Sequence, residues 1–137
     1  MKKFINASED VAREALEGFA ACFSERYRLH DEVNGVLLRR PRDHKVSLVV
    51  GGGSGHEPMF SGFVGTGLAD AAACGNIFAS PDPGTIFQTA RAVEGGKGVL
   101  FVYGNYAGDN LNFDMAGELL QKEGIPTAHV RVWDDCA

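Results

Sequence analysis

The sequence predicts an α/β fold in which a mostly parallel sheet is flanked by helices, with short edge strands near the amino terminus. Two nearly continuous apolar runs, residues 46–50 and 99–103, are typical of strands that are buried on both faces. Segments in which apolar residues recur at helical spacing lie between the strand-like runs. Because strands and helices alternate, right-handed crossovers and a largely parallel sheet are expected.

The amino-terminal residues predict one helix and two short strands. Ser8 is a suitable N-cap for a helix whose apolar residues recur at helical spacing as far as Cys22. Residues 27–30 and 36–39 mix charged residues with β-forming residues, which indicates half-exposed edge strands. The pair Asn34-Gly35 indicates a turn between them. We expect the helix to cover one face of the sheet.

The first central strand is predicted at residues 46–50, after a polar and exposed segment at residues 41–45. Residues 59–64 predict a short helical or irregular segment. A run of small residues at 71–74 then indicates a second buried strand.

The next helix and strand have clear boundaries. Ser-Pro-Asp-Pro-Gly-Thr at residues 80–85 opens a helix, because proline and aspartate suit the first turn of a helix. The pair Gly95-Gly96 ends this helix, and residues 98–103 form another central strand. The buried face of the helix is predicted to contain Ile86, Phe87, Ala90 and Val93.

A third helix follows residues 104–109, and a last strand is predicted at residues 127–133. Gly124 ends the helix, as glycine commonly does just beyond a helix terminus. The apolar side of the helix is predicted to contain Leu111, Met115, Ala116, Leu119 and Leu120.

Composition excludes several classes of function. The chain has 137 residues, enough for one domain, and its 45% apolar content is typical of a globular protein. A net charge of −5 argues against nucleic acid or an anionic membrane as the main partner, because both require a basic face. The apolar runs are too short to cross a bilayer and the amino terminus lacks a signal-peptide core, so we expect a cytoplasmic protein.

The cysteines do not predict a disulfide framework or a zinc site. They are three in number, widely spaced and outside any Cys-x-x-Cys pattern. Buried, reduced thiols are expected at Cys22, Cys74 and Cys136.

The glycine-rich segment at residues 51–58 carries the strongest functional signal. Three glycines and a Ser-Gly-His-Glu-Pro sequence follow a predicted strand, and so much glycine indicates a loop shaped around a ligand, with His56 at its mouth. Residues 104–109 follow a neighbouring strand in the same way. Because ligands bind beyond the carboxyl ends of parallel strands, the two loops are expected to share a site for one small polar molecule.

Three familiar glycine motifs fit this segment poorly. A phosphate-binding P-loop needs a lysine, and the segment has none. A dinucleotide fingerprint would begin at Gly51 and Gly53 but meets the bulky ring of His56 where a glycine is required. A nucleophile elbow centred on Ser54, with His129 as its base, also meets His56 at its last glycine position.

Three segments are distinctive when they are read together: Gly-Gly-Gly-Ser-Gly-His-Glu-Pro at residues 51–58, Asn-Tyr-Ala-Gly-Asp at 105–109 and Leu-Asn-Phe at 111–113. In combination they closely resemble dihydroxyacetone kinases, specifically their substrate-binding subunit or domain. The resemblance runs from Phe-Ile-Asn at residues 4–6 to Trp-Asp-Asp at 133–135, and it includes Gly-Asn-Ile-Phe-Ala-Ser-Pro at 75–81.

The resemblance implies phosphorylation of a short ketose of the dihydroxyacetone (glycerone) type, with the phosphoryl donor held elsewhere. The histidine matching His56 would hydrogen-bond the substrate and aid proton transfer, and the aspartate matching Asp109 would contact the hydroxyl that is phosphorylated. Both are therefore expected to be catalytic. The expected substrate contacts are Gly53, Ser54, Gly55, His56, Gly104 and Asp109.

The resemblance also implies what this domain lacks. No cofactor or metal is expected on it, and ATP or ADP with Mg²⁺ is expected on a partner nucleotide-binding subunit or domain. Family members pair as homodimers. The donor stays open between ATP and the phosphotransferase system. Because few residues follow the last strand, residues 1–137 are expected to be a truncated amino-terminal α/β domain that lacks a second domain and is inactive alone.

Two departures from the family pattern concern the substrate. The family commonly has a lysine where this chain has Gly104. Loss of that cation weakens any contact to a substrate oxygen and is expected to enlarge the pocket, so a tetrulose is an alternative substrate. The family also holds its ketone covalently on a later histidine, which none of the four histidines here matches.

Several of these residues also have a purely structural interpretation. A carboxylate at a helix start such as Asp109 is also a plain capping residue, and Glu57 is read as structural. His30 and His44 are expected to be solvated, and His129 is read as a satisfied strand histidine. A second functional class also fits, namely a paralogue that senses a ketose without catalysis, as a transcriptional coactivator.

Overall fold

The computed structural model describes residues 3–41 and 43–133, and within them it contains one six-stranded sheet and three α-helices. The elements, in chain order, are α1 (Val11–Cys22), β1 (Tyr27–Leu29), β2 (Gly35–Leu38), β3 (Ser47–Ser54), a 3-10 helix (Ser61–Phe63), β4 (Ala71–Ile77), α2 (Pro83–Arg91), β5 (Val99–Gly104), α3 (Ala107–Lys122) and β6 (Thr127–Val132). The α/β fold class predicted from the sequence is confirmed.

The strands lie in the order β1-β2-β4-β3-β5-β6. Strands β4, β3, β5 and β6 are parallel to one another, whereas β1 and β2 pair in antiparallel fashion at one side of the sheet. Parallel neighbours end at the same edge of a sheet, so the carboxyl ends of β3, β4 and β5 lie together. This edge is where the two predicted site loops begin.

Hydrophobic cores form on both faces of the sheet. Helices α2 and α3 cover one face, where Val49, Phe101 and Phe113 are fully buried. Helix α1 packs on the other face through Leu16, which joins a cluster that includes Val50. The alternation of Val49 and Val50 between the two cores follows from the two-residue period of a strand.

Two predictions for the amino-terminal elements were wrong. Ser8 does not cap α1, because the helix begins at Val11 and the Ser8 hydroxyl instead donates to Glu9. Strand β2 is not half-exposed. All four of its residues are buried, because it pairs with β1 on one side and β4 on the other. Of these two strands, only β1 lies at an edge of the sheet.

The predicted buried face of α3 was also partly wrong. Leu111, Met115 and Leu119 are 62%, 47% and 39% exposed. The helix instead docks through Phe113, Ala116, Gly117 and Leu120. A methyl group at Gly117 would lie 2.8 Å from Nε2 of His129, so the helix approaches β6 closely at that point. Steric fit, rather than apolar content, decides which face is buried.

The three glycines predicted to form a loop are part of β3, which continues to Ser54. A methyl group at Gly51 would lie 2.8 Å from Cζ of Phe113, and one at Gly52 would overlap the ring of Phe60. At Gly53 it would lie 2.8 Å from the backbone nitrogen of Ala79. The glycines therefore accommodate other parts of this chain, and the loop proper begins at Gly55, where φ is +100°.

The opposite edge of the sheet is held by an ion pair between the half-buried Lys45 and the buried Asp70. Lys45, in the segment predicted to be exposed, donates to both carboxylate oxygens of Asp70 at 2.8 and 2.6 Å. The same carboxylate accepts the backbone N–H of Leu48 at 2.8 Å. These residues join the amino ends of β3 and β4, so this charged group serves the scaffold.

The cysteine predictions have mixed outcomes. Cys74 is buried, and burial raises the pKa of its thiol to about 12. Cys22 is exposed, contrary to expectation. Cys136 lies outside the described residues.

Within residues 3–41 and 43–133, no helix has the length and apolar character that crossing a membrane requires.

Replacing Gly51 with alanine should destabilise the fold, because the added methyl group would lie 2.5 Å from the carbonyl oxygen of Ala73 as well as against Phe113. We expect a loss of about 1–3 kcal/mol in the free energy of unfolding, measured by urea denaturation. The matched control is Gly18→Ala, since Gly18 is exposed in α1 with no atom within 4 Å of the added group. That variant should gain about 0.5–1 kcal/mol. Equal stability of the two variants would contradict the packing role of Gly51.

Candidate active site

Three connections meet at the carboxyl edge of the sheet. Residues 55–60 follow β3, residues 78–82 follow β4, and residues 105–106 lead from β5 into α3. The sequence predicted the first and third of these connections as a shared site. The second connection joins β4 to α2. It lies beside the other two connections, next to His56 through Phe78 and next to Asp109 through Ser80.

Asp109 lies in the first turn of α3, and its side chain points inward. The residue is 7% exposed, and its Oδ1 has no hydrogen-bond partner among the described residues. Burial raises the pKa of the Asp109 carboxyl above its ordinary value, while the hydroxyl of Ser80 and the nearby charge of His56 act in the opposite direction. The N-cap residue of α3 is Tyr106 and Asp109 lies inside the first turn, so Asp109 is not the N-cap.

His56 lies on the neighbouring loop, within electrostatic reach of Asp109. The residue is exposed, and its ring meets the ring of Phe78 edge-on with the centroids 5.1 Å apart. The loop turns through the backbone N–H of Gly55, which donates to both oxygens of the Glu57 carboxylate at 3.0 and 3.1 Å. Glu57 is therefore structural, as predicted.

The other predicted contacts differ in what they present to this site. Ser54 is buried, and its hydroxyl donates to the carbonyl of Gly75 at 2.7 Å, so the side chain joins β3 to β4. The backbone of Ala79 packs directly against Gly53, and Gly55 is exposed. The assignment of Gly53, Ser54 and Gly55 as substrate contacts stays a prediction.

Gly104 does not leave open space where a longer side chain is missing. A methyl group there would lie 3.0 Å from the ring of Tyr106, so that ring occupies the position next to the glycine. The expected enlargement of the pocket at Gly104 stays a prediction. Behind the turn, the amide of Asn110 donates to Oδ1 of Asn105 at 3.0 Å and fixes the approach to α3.

Ser80 and Asn112 are site residues that the sequence reasoning missed. The Ser80 hydroxyl donates to the carbonyl of Pro81 at 3.2 Å and lies close enough to Asp109 to lower the pKa of its carboxyl. Asn112, one turn further along α3, donates to Oγ of Ser80 at 3.3 Å and to the carbonyl of Pro81 at 2.9 Å. The segments that contain both residues were part of the family resemblance, and that signal could have assigned the β4–α2 loop to the site.

An apolar groove of about 640 Å³ runs along the sheet face beside Gly104 and Tyr106. The face of the sheet over β3, β5 and β6 forms one wall. Apolar residues between positions 59 and 69 form the other. The lining residues are Leu48, Val50, Met59, Phe60, Phe63, Leu68, Ala69, Val102, Tyr103, Gly104, Tyr106 and Val132.

The remaining histidines lie in other surroundings. His129 is hydrogen-bonded through Nδ1 to the Tyr103 hydroxyl at 3.1 Å, and burial lowers its pKa, so it is a satisfied strand histidine as predicted. His44 is exposed, whereas His30 is half-buried and accepts the backbone N–H of Glu32. Among the described residues, no three histidine, cysteine or carboxylate side chains are grouped to hold a metal ion.

Comparisons with known proteins give one consistent result. The Dak1 domain model matches residues 17–137. The L-erythrulose kinase of Pectobacterium atrosepticum is 47% identical over 98% of this chain and 23% of its own length. The dihydroxyacetone-binding subunit DhaK of the PEP-dependent dihydroxyacetone kinase of Escherichia coli is 44% identical over 100% of this chain and 38% of its own length.

Solved structures agree with these sequence matches. The dihydroxyacetone kinase of C. freundii, in complex with AMP-PNP and Mg²⁺, superposes with a TM-score of 0.92 and 32% identity, over 98% of this chain and 26% of that one. The dihydroxyacetone kinase operon co-activator Dha-DhaQ gives a TM-score of 0.84 and 31% identity, over 89% of this chain and 37% of that one. This chain thus spans less than half the length of each of these relatives.

Removal of the Ser80 hydroxyl should raise the pKa of the Asp109 carboxyl further, because the nearby hydroxyl favours the charged form. The measurement is a pH titration of the Asp109 side-chain carbon resonance by NMR in the wild type and in Ser80→Ala. In the variant the midpoint should move to higher pH. Ser8→Ala is the control, since the exposed Ser8 hydroxyl contacts only Glu9 among the described side chains. An unchanged midpoint in Ser80→Ala would show that Ser80 does not stabilise the carboxylate.

Proposed function

This chain belongs to the Dak1 domain family, and from that membership and the geometry of its site we propose that it is the substrate-binding component of a ketose kinase. In this role it holds a dihydroxyacetone-type ketose while a phosphoryl group arrives from a nucleotide on a partner subunit or domain. Residues 1–137 form the amino-terminal α/β domain of that component. Relatives named as dihydroxyacetone-binding subunits support this assignment.

One observation carries the proposal: a buried aspartate offers an unpartnered carboxylate oxygen beside a histidine. A buried polar atom without a partner is costly unless a ligand satisfies it. Oδ1 of Asp109 is such an atom, and a substrate hydroxyl is a suitable donor for it. The elevated pKa of Asp109 makes its carboxylate a stronger proton acceptor than an ordinary surface aspartate.

The proposed chemistry needs little more from this chain than position and a proton acceptor. Phosphoryl transfer proceeds in line between an attacking oxygen and a leaving oxygen, so catalysis consists mainly of orientation and charge stabilisation. Asp109 accepts the hydroxyl proton as that oxygen attacks phosphorus. His56 hydrogen-bonds the ketose on the open side of the site and aids the proton transfer.

The donor nucleotide belongs to the partner. The glycines of β3 do not form a phosphate cradle, because Phe113, Phe60 and the backbone of Ala79 fill the space beside them. ATP or ADP with Mg²⁺ is accordingly assigned to the partner subunit or domain, where the metal stabilises the charge of the transferred phosphoryl group. Relatives described as PTS-dependent and relatives described simply as kinases both match, so the partner decides the donor.

A four-carbon ketose is the second candidate substrate. The observation that favours it is the match to an L-erythrulose kinase at 47% identity, together with a D-erythrulose kinase at 42%. A ketose sensor is the second candidate class, favoured by the structural match to a co-activator. The proposal further places the protein in the cytoplasm as a homodimer, in keeping with its small polar substrate.

Asp109→Asn in the full-length protein should abolish phosphorylation and leave ketose binding close to wild type. Loss of a general base costs about 10²–10⁴-fold in rate, whereas the amide retains the shape of the side chain. Turnover is measured with the nucleotide-binding partner, and binding by calorimetry. Asp114→Asn is the control, because Asp114 is an exposed carboxylate of the same helix that pairs with Arg131. Full activity of Asp109→Asn would contradict the assignment.

A ketose panel separates the three functions. Dihydroxyacetone and both enantiomers of erythrulose are tested with ATP and with a phosphotransferase donor. A kinase turns over at least one ketose with one donor, and the ratio of kcat/KM between dihydroxyacetone and erythrulose identifies the substrate class. A sensor binds a ketose without turnover under both donor conditions, and that result would exclude the kinase proposal.

A further inference from the structure

Phe78 has an unusual backbone conformation for its residue type. Its φ is +53°, in the left-handed region that bulky residues rarely adopt. Among the described residues, the other non-glycine residue with positive φ is His44. Residues held in this region persist where the surrounding structure fixes them, and they occur preferentially at functional sites.

Burial does not explain this conformation. The Phe78 side chain is 70% exposed, so its ring gains little from the hydrophobic effect. A lone exposed aromatic residue is ordinary on a protein surface. An exposed aromatic residue that also holds an unfavourable backbone conformation is not ordinary, and the combination requires another explanation.

The backbone around Phe78 fixes the direction of its ring. The N–H of Phe78 donates to the carbonyl of Ser54 at 2.7 Å, and the N–H of Ala79 donates to Asn76 at 3.0 Å. Ala79 in turn packs against Gly53 without an intervening side chain. The β4–α2 loop is thereby attached to the end of β3.

The ring so placed contacts the His56 loop. It meets the His56 imidazole edge-on, with the ring centroids 5.1 Å apart and the planes at 68°. A methyl group at Gly55 would lie 2.9 Å from Cε1 of Phe78, so the glycine leaves room for the ring. Edge-to-face contact between rings is favourable and directional. The imidazole has few other contacts to hold it, because His56 is exposed.

We infer that Phe78 is a positioning residue, whose ring holds the imidazole of His56 in the orientation that faces Asp109 and screens one side of it from water. The catalytic part of this inference rests on the proposed ketose kinase activity. The structural part, the orientation of His56 by the Phe78 ring, stands independently of that activity.

Phe78→Gly is the informative variant, because glycine adopts positive φ readily while the ring is removed. Its stability should equal or exceed that of the wild type. His44→Gly is the matched control, since it relieves the same backbone conformation at an exposed site, and His44 precedes β3 whereas His56 follows it. Phe78→Tyr keeps the ring edge and should behave as the wild type does.

The first measurement is the NMR spectrum of the His56 imidazole in the free protein. The ring current of Phe78 shifts the imidazole protons, and the contact restricts the ring of His56 to one orientation. Phe78→Gly should move these resonances and average the His56 side-chain rotamers, whereas His44→Gly and Phe78→Tyr should leave them unchanged. Unchanged His56 resonances in Phe78→Gly would overturn the inference.

The second measurement is turnover of the full-length protein with its nucleotide-binding partner. Phe78→Gly should lower kcat about tenfold or more with a smaller change in KM, because a misplaced catalytic group costs rate more than binding. Wild-type kcat in Phe78→Gly would overturn the catalytic part. If the wild type phosphorylates no ketose, the proposed function fails, and the NMR measurement still decides whether Phe78 orients His56.

Discussion

The arrangement of this site depends on three successive positions of the central strand that carry no side chain. At Gly51 the ring of Phe113 from α3 lies against the backbone, at Gly52 the ring of Phe60 does, and at Gly53 the backbone of Ala79 does. Each contact brings in a different segment of the chain. Phe113 belongs to the helix that carries Asp109, Phe60 to the segment that follows His56, and Ala79 to the loop that contains Phe78 and Ser80. One stretch of strand therefore brings together the three segments of the site.

The site combines opposing electrostatic effects in a small volume. Removing a carboxylate from water disfavours its charge, and a nearby hydroxyl and imidazole partly restore it. The result is an aspartate with a raised pKa, one of whose carboxylate oxygens has no hydrogen-bond partner among the described residues. The ion pair of Lys45 with Asp70, at the other end of the same strands, is fully satisfied and has no such capacity. Asp70, just before β4, and Asp109, in α3, are both buried, but of these two only Asp109 keeps a carboxylate oxygen without a hydrogen-bond partner among the described residues.

Sequence reasoning recovered the order of the elements and placed the loops that carry His56 and Asp109 at one edge of the sheet, because the carboxyl ends of parallel strands lie together. It misjudged the glycines of β3, because glycine weakens a strand and resembles a loop unless the packing partners are known. It also missed Ser80 and Phe78. Ser80 approaches Asp109 from a separate connection, the β4–α2 loop, and Phe78 is distinguished by its backbone angle. Neither feature leaves a periodic pattern in the sequence.

Helix α3 has a consequence for protein engineering. Its inward face consists largely of small or precisely fitted residues, while Leu111, Met115 and Leu119 point outward. The face that the helix turns toward the sheet is therefore decided by steric fit and not by hydrophobicity alone. Substituting the exposed Leu111, Met115 and Leu119 with lysine or glutamate to improve solubility would leave the orientation of the helix unchanged. A larger residue at Gly117 would press on His129 and shift α3, and with it Asp109, relative to the loops at the carboxyl edge of the sheet.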